Sequence, residues 1–188
     1  MTLHTASRFS KSAVIICATV MLLTACSVPA IQSSSDRDAA TVLAPGDSIS
    51  VDFFTSVTNL DTGIILQEGN TYALDVVTLS NWIDGWIEEN DNGEAINEFG
   101  FSNNLMPLSF LGTTRRSRQH QWFELMLFQP RCSSASLQGV SDLSKDSISG
   151  NYQFVAACDG TLTLFVNDTY GFYSNNLGYA NIALSRVN

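Results

Sequence analysis

The residues best suited to chemistry lie in one run near the carboxyl end, Asn167-Asp168-Thr169-Tyr170-Gly171-Phe172-Tyr173-Ser174-Asn175-Asn176-Leu177-Gly178. Asp168 supplies a carboxylate, and Asn175 and Asn176 supply amide carbonyls. Gly171 and Gly178 allow tight turns that aim main-chain carbonyls inward. These are hard oxygen donors, and their chemistry is that of a calcium site. Equally, asparagine and glycine are the residues that an ordinary polar connection between strands would use.

Other constellations exclude more than they suggest. There is no G-x-S-x-G elbow, no H-E-x-x-H and no C-x-x-C. A Ser-His-Asp or Cys-His site would have to use His120, which sits in the polar stretch Arg115-Arg116-Ser117-Arg118-Gln119-His120 and is expected at the surface. The three arginines are expected to be solvated or to pair with nearby acids. Glu88-Glu89-Asn90-Asp91-Asn92-Gly93 has the look of an EF-hand loop. Its twelfth position, however, is Phe99 rather than glutamate, which leaves an acidic turn. No nucleophile motif is present, so the chain is not expected to be an enzyme.

The amino terminus reads as an export signal. Arg8 and Lys11 precede the short apolar stretch Ala13–Leu23, too short for a membrane span. Leu23-Thr24-Ala25-Cys26 resembles a bacterial lipobox. That resemblance implies cleavage before Cys26, lipidation of its thiol and, with Ser27 following, sorting to the outer membrane. The expected division is a signal peptide over 1–25, a lipidated cysteine and Ser/Ala/Pro-rich tether over 26–46, and one folded domain over 47–188. Losing the signal leaves seven basic residues against 18 acidic ones, a net charge of −11. Such a surface disfavours nucleic acid and suits cations or neutral glycans. Cys132 and Cys158 remain as a lone pair in an exported chain and are expected to form a disulfide. Closing that loop would stabilise by roughly 3–4 kcal/mol.

The elements that must position these groups are mostly strands. Ile49–Phe53 and Thr161–Val166 alternate apolar and polar residues. Gly63–Leu66, Tyr72–Val77, Trp122–Phe128, Tyr152–Ala157 and Tyr179–Val187 have strand composition and turn-rich borders. Trp82–Ile87 fits a helix turn or a strand, and Asn97–Leu105 reads as a surface loop. Many short strands with few helix signals predict an all-β, jelly-roll-type β-sandwich.

The segment Leu162–Asp168, with Tyr173, Asn175-Asn176 and Gly178 after it, resembles the C-terminal signature of the small calcium-dependent galactose-binding bacterial lectins. The order of strand, bend and strand from Val51 to Val77 is compatible with the same family. The resemblance implies a galactose-binding-domain-like β-sandwich in which Asp168, Asn175, Asn176 and the main-chain carbonyl of Phe172 hold calcium. Sugar hydroxyls would complete the shell. The family usually has threonine where Phe172 stands. A further ligand comes from an early loop, for which Asp84, before Gly85, is the candidate. One carboxylate would give a weak site, and an Asp84 carboxylate would tighten it. The residues from Trp86 to Gln121 depart from the family pattern, so no sugar is specified. The alternative is a structural or protein-interaction module whose loop is only a turn or a structural ion site.

Overall fold

The computed structural model describes residues 40–188. The expected signal peptide, Cys26 and the tether up to residue 39 lie outside the described residues. The ten strands are β1 (Thr41–Val42), β2 (Ser48–Phe54), β3 (Leu60–Leu66), β4 (Thr71–Asp84), β5 (Leu125–Phe128), β6 (Gln138–Gly139), β7 (Ser144–Lys145), β8 (Tyr152–Val155), β9 (Gly160–Val166) and β10 (Asn176–Arg186). They form two five-stranded sheets, ordered β1-β3-β9-β5-β6 and β2-β10-β4-β8-β7. Only the short β1–β3 pair is parallel. The chain is therefore an all-β sandwich, as its composition predicts.

Period-two alternation sets the inner faces. Val51 and Phe53 on β2, Leu60, Ile64 and Leu66 on β3, and Ala180, Ile182 and Leu184 on β10 are all buried. Strand β9 is buried on both sides: Leu162, Leu164 and Val166 on one, Thr163 and Phe165 on the other. The Arg116 guanidinium lies over the Phe165 ring, 3.3 Å from its centroid, and covers that outer face.

The fold begins before residue 47. Thr41 and Val42 pair with Ile64 and Ile65, Leu43 is buried, and the Gly46 N–H donates to the Arg186 carbonyl. Residues 41–46 thus belong to the sandwich rather than to the tether. Cys132 and Cys158 form the expected disulfide, with Cα atoms 5.8 Å apart.

Two predicted elements differ. The run from Trp122 is a strand only from Leu125, because Phe123 adopts φ 62° and breaks the ladder. Asn97–Leu105 is not simply surface. Phe101 is buried and exchanges both backbone hydrogen bonds with Trp122, at 2.8 and 2.9 Å. Trp82–Ile87 resolves as the end of β4 followed by a tight turn.

Gly178 is required by close approach. Its φ is 150°, and a Cβ there would lie 2.7 Å from Trp82 Cδ1 and 2.9 Å from Thr55 Cγ2. Gly178→Ala is expected to cost about 2 kcal/mol, read as a lower denaturation midpoint at unchanged m-value.

Candidate cation and ligand site

The Asn167–Gly178 run passes from β9 in one sheet to β10 in the other, so it closes one end of the sandwich. The end of β4 meets the same place, since Asp84 pairs with Asn176 across the β4–β10 ladder. Beyond Asp84 the chain reverses through Gly85 (φ 59°) and Trp86, with Asp84 and Ile87 exchanging backbone hydrogen bonds at 2.8 and 3.0 Å. Gly85 leaves room for Asn175, whose Nδ2 would be 3.0 Å from any Cβ placed there.

These elements bring the sequence candidates together. Asp84, Asp168 and Asn176 are buried, whereas Asn175 and Phe172 are exposed. Asn175 Nδ2 donates to Asp84 Oδ1 at 3.2 Å, and Asn176 Nδ2 donates to Asp168 Oδ2 at 3.0 Å and to the Thr55 carbonyl at 3.2 Å. The Phe172 carbonyl accepts the Asn175 N–H at 3.1 Å and keeps a second lone pair. The Asp84 carboxylate faces this cluster through its bond with Asn175, while the Asp84 carbonyl accepts the Ile87 N–H at 2.8 Å.

The electrostatics are those of two acids held together. Burial and the neighbouring Asp168 charge push the Asp84 carboxyl up to about 6, against a weaker opposing hydrogen bond from Asn175. Burial likewise raises Asp168, opposed by its bonds from Asn176 and from the Thr169 N–H. Neither has a salt-bridge partner among the described residues. Asn176 Oδ1 is buried and receives no hydrogen bond. Amide oxygens in such settings cost free energy unless a donor or a cation meets them.

The donor set discriminates among ions. Among the described residues no three His, Cys, Asp or Glu side chains converge. The cluster contains neither imidazole nor thiolate, which excludes the usual zinc geometry. Two carboxylates with amide and main-chain carbonyls match calcium, which takes many neutral oxygens in adaptable geometry.

Beside the carboxylates lies a cavity of about 200 Å³. Asp84, Asp168 and Asn175 supply polar groups on one side, Thr114 and Thr169 add hydroxyls, and Met106, Pro107, Leu111 and Trp122 make apolar walls. Trp86 and Phe172 stand at its edge, 74% and 61% exposed. Of the other aromatic residues of the run, Tyr170 is exposed while Tyr173 is buried, its hydroxyl donating to the Val166 carbonyl at 2.6 Å.

Asn167 was not singled out by its sequence, yet it is the clamp of this end. It is fully buried. Its Nδ2 donates to the carbonyls of Ser117 and Gln121, each at 2.8 Å, and its Oδ1 accepts the Ser117 N–H at 2.8 Å. Asn167→Ala is expected to cost about 2 kcal/mol and to loosen residues 115–121, measured as faster amide exchange there.

Arg118 is exposed as expected, but Arg116 is not simply solvated. Arg116 Nη1 donates to the Thr58 carbonyl at 2.6 Å and to the Tyr173 hydroxyl at 3.0 Å, and Nη2 donates to Asn59 Oδ1 at 2.7 Å. His120 is buried rather than exposed. Its Nδ1 hydrogen-bonds with Ser117 Oγ (2.5 Å) and its Nε2 with Asp142 Oδ2 (2.6 Å). None of these three lines the cavity, and Asp142 also takes the Gly139 N–H at 3.0 Å. The series ties two loops together.

No family model matches the chain, and no curated protein matches it. Among solved structures it is similar to one described as "EclA N-terminal domain; PllA-like lectin". The identity is 15% and the TM-score 0.44, over 73% of this chain and 94% of that one.

Proposed function

We propose that the domain binds calcium through Asp84, Asp168, Asn175, Asn176 and the Phe172 carbonyl, and uses the ion to hold a glycan. The lipobox-like segment at Cys26 supports reading it as a lipid-anchored protein of the bacterial envelope, sorted to the outer membrane. The reading makes it a binding protein rather than an enzyme. One observation carries the metal assignment. Among the described residues, Asp84 and Asp168 are buried side by side with no basic partner, next to an amide oxygen of Asn176 that lacks a donor. A divalent cation relieves the charge repulsion and meets that oxygen at once. The glycan part rests on the resemblance of Leu162–Gly178 to the calcium-dependent lectin signature, and on the cavity that opens beside the carboxylates. Exposed Trp86 and Phe172 offer faces on which sugar C–H edges pack.

The second carboxylate changes the affinity expected from one acid alone. A site of this charge should bind with a dissociation constant of about 50 µM, tighter than typical extracellular modules. At 5 mM calcium that corresponds to about 2.7 kcal/mol of linked stabilisation, or a rise of roughly 5–10 °C in melting temperature. Calorimetric titration and thermal scans with and without calcium test the metal. A glycan array with and without chelator tests the sugar. Retention that vanishes with chelator supports the lectin reading. A calcium response with an array that stays silent assigns the ion a structural role instead.

A further inference from the structure

We propose a second ligand site, separate from the cation loop: a groove over β5 and β9 that binds a small carboxylate carried on a phenyl-sized apolar group. Arg116 supplies the charge. The chain is acidic, with a net charge of −9, yet this guanidinium has no acidic partner among the described residues. Its neighbours are rings instead. Arg116 Cζ lies 3.3 Å from the Phe165 centroid and 4.5 Å from that of Tyr170.

The hydrogen bonds of Arg116 show which part of the group is free. Nη1 donates to both the Thr58 carbonyl and the Tyr173 hydroxyl, and Nη2 donates once, to Asn59 Oδ1. Two N–H donors remain without a partner among the described residues, one on Nε and one on Nη2. Such a pair projects in parallel from one side of a guanidinium and matches the two oxygens of a carboxylate. Nε of the adjacent Arg115 is buried and unpaired, whereas Nε of Arg116 is not among the buried atoms and is reached by solvent.

The walls define the rest of the ligand. Arg116, Phe128, Ser134, Leu137, Phe165 and Tyr170 line a groove of about 220 Å³, and it shares no lining residue with the cavity beside Asp84 and Asp168. No acid lines it, so an entering carboxylate meets no like charge there. An apolar space of about 150 Å³ admits a benzene ring, so a phenyl-sized body fits beside the free donors. Phe128, Leu137, Phe165 and Tyr170 give that body its contacts.

Phenylacetate titrated into the nitrogen-15-labelled protein tests this. It should shift the Arg116 Nε–H resonance and bind with a dissociation constant of about 1 mM. Phenylacetamide, which lacks the charge, and acetate, which lacks the ring, should each bind at least about tenfold more weakly. Leu137→Glu places a competing carboxylate in the groove and should abolish the response. Leu137→Gln, of the same shape without the charge, should retain it, and thermal scans of both variants show that they fold. Equal binding of the acid and the amide, no shift of the Arg116 resonance, or the same result in both Leu137 variants overturns the inference. The site does not use the ion, so titrations in calcium and in chelator should coincide. A response that needs calcium would move the acid to the cation loop, overturning this inference and leaving the calcium reading in place.

Discussion

Asp168→Asn should abolish the calcium response and, in calcium-free buffer, raise the melting temperature. The two effects have opposite signs for one reason. In the calcium-free domain Asp168 places a second buried charge beside Asp84, and no cation among the described residues compensates it. Replacing it by a neutral isostere removes that repulsion, a gain of about 1 kcal/mol, or 2–4 °C. The new amide can accept from the Thr169 N–H or from Asn176 Nδ2, which the carboxylate takes at 2.6 and 3.0 Å, but not from both, so the gain is what remains of the relieved repulsion after one hydrogen bond is lost. The same neutrality halves the formal charge facing the ion, and affinity should fall at least a hundredfold, about 3 kcal/mol. Thermal scans of both proteins with calcium and with chelator read all four values. A variant less stable than the parent in chelator would mean that the carboxylate serves as a structural acceptor and not as a ligand.

The second large effect is on pH. The folded-state pKa of Asp84, about 6, lies above its unfolded value of 3.8. The fold therefore favours the protonated acid. Calcium-free stability should be lowest above pH 7 and should rise as the pH falls through 6 toward 4, by an amount on the order of 3 kcal/mol. Calcium inverts the trend, because the ion needs the ionised acid and the proton competes with it. The calcium-induced rise in melting temperature should be largest near pH 7.5 and should shrink steeply by pH 5. Scans at half-unit steps between pH 5 and 8 measure both curves. Parallel curves would place Asp84 outside the coordination shell. Asp84→Asn provides the control: its calcium-free stability should lose the dependence between pH 5 and 7.

Legibility in the sequence followed the range of the forces at work. The inner faces of β2, β9 and β10 were readable because alternation is local and leaves its record at every second residue. The disulfide was readable because an export-like signal and a single cysteine pair beyond it, with no histidine near either, favoured that pairing. The metal loop was readable as a list of oxygens, but its geometry was not. That Asp84 joins this cluster depends on the β4–β10 register, which sets it opposite Asn176 across nearly a hundred residues of chain. Asn167, His120 and Arg116 were misjudged for the same reason. A polar residue in a polar stretch reads as solvated unless its buried partners are known, and those partners lie 46 or more residues away for Asn167 and Arg116. The bulge at Phe123 was equally invisible. It arises where Gly100 presses against the Trp122 carbonyl, with no space there for a side chain.

The crossing of residues 167–178 from one layer to the other has a mechanical consequence. Its proposed donors are anchored in both layers, Asp168 just past β9 and Asp84 and Asn176 on β4 and β10, so on the proposed reading an ion bound there would act as a rivet through the open end of the sandwich. Prising the layers apart there first requires the rivet to leave. Resistance to proteases and to mechanical pull would then track the calcium content of the surroundings, firm outside the cell and slack wherever the metal is scarce.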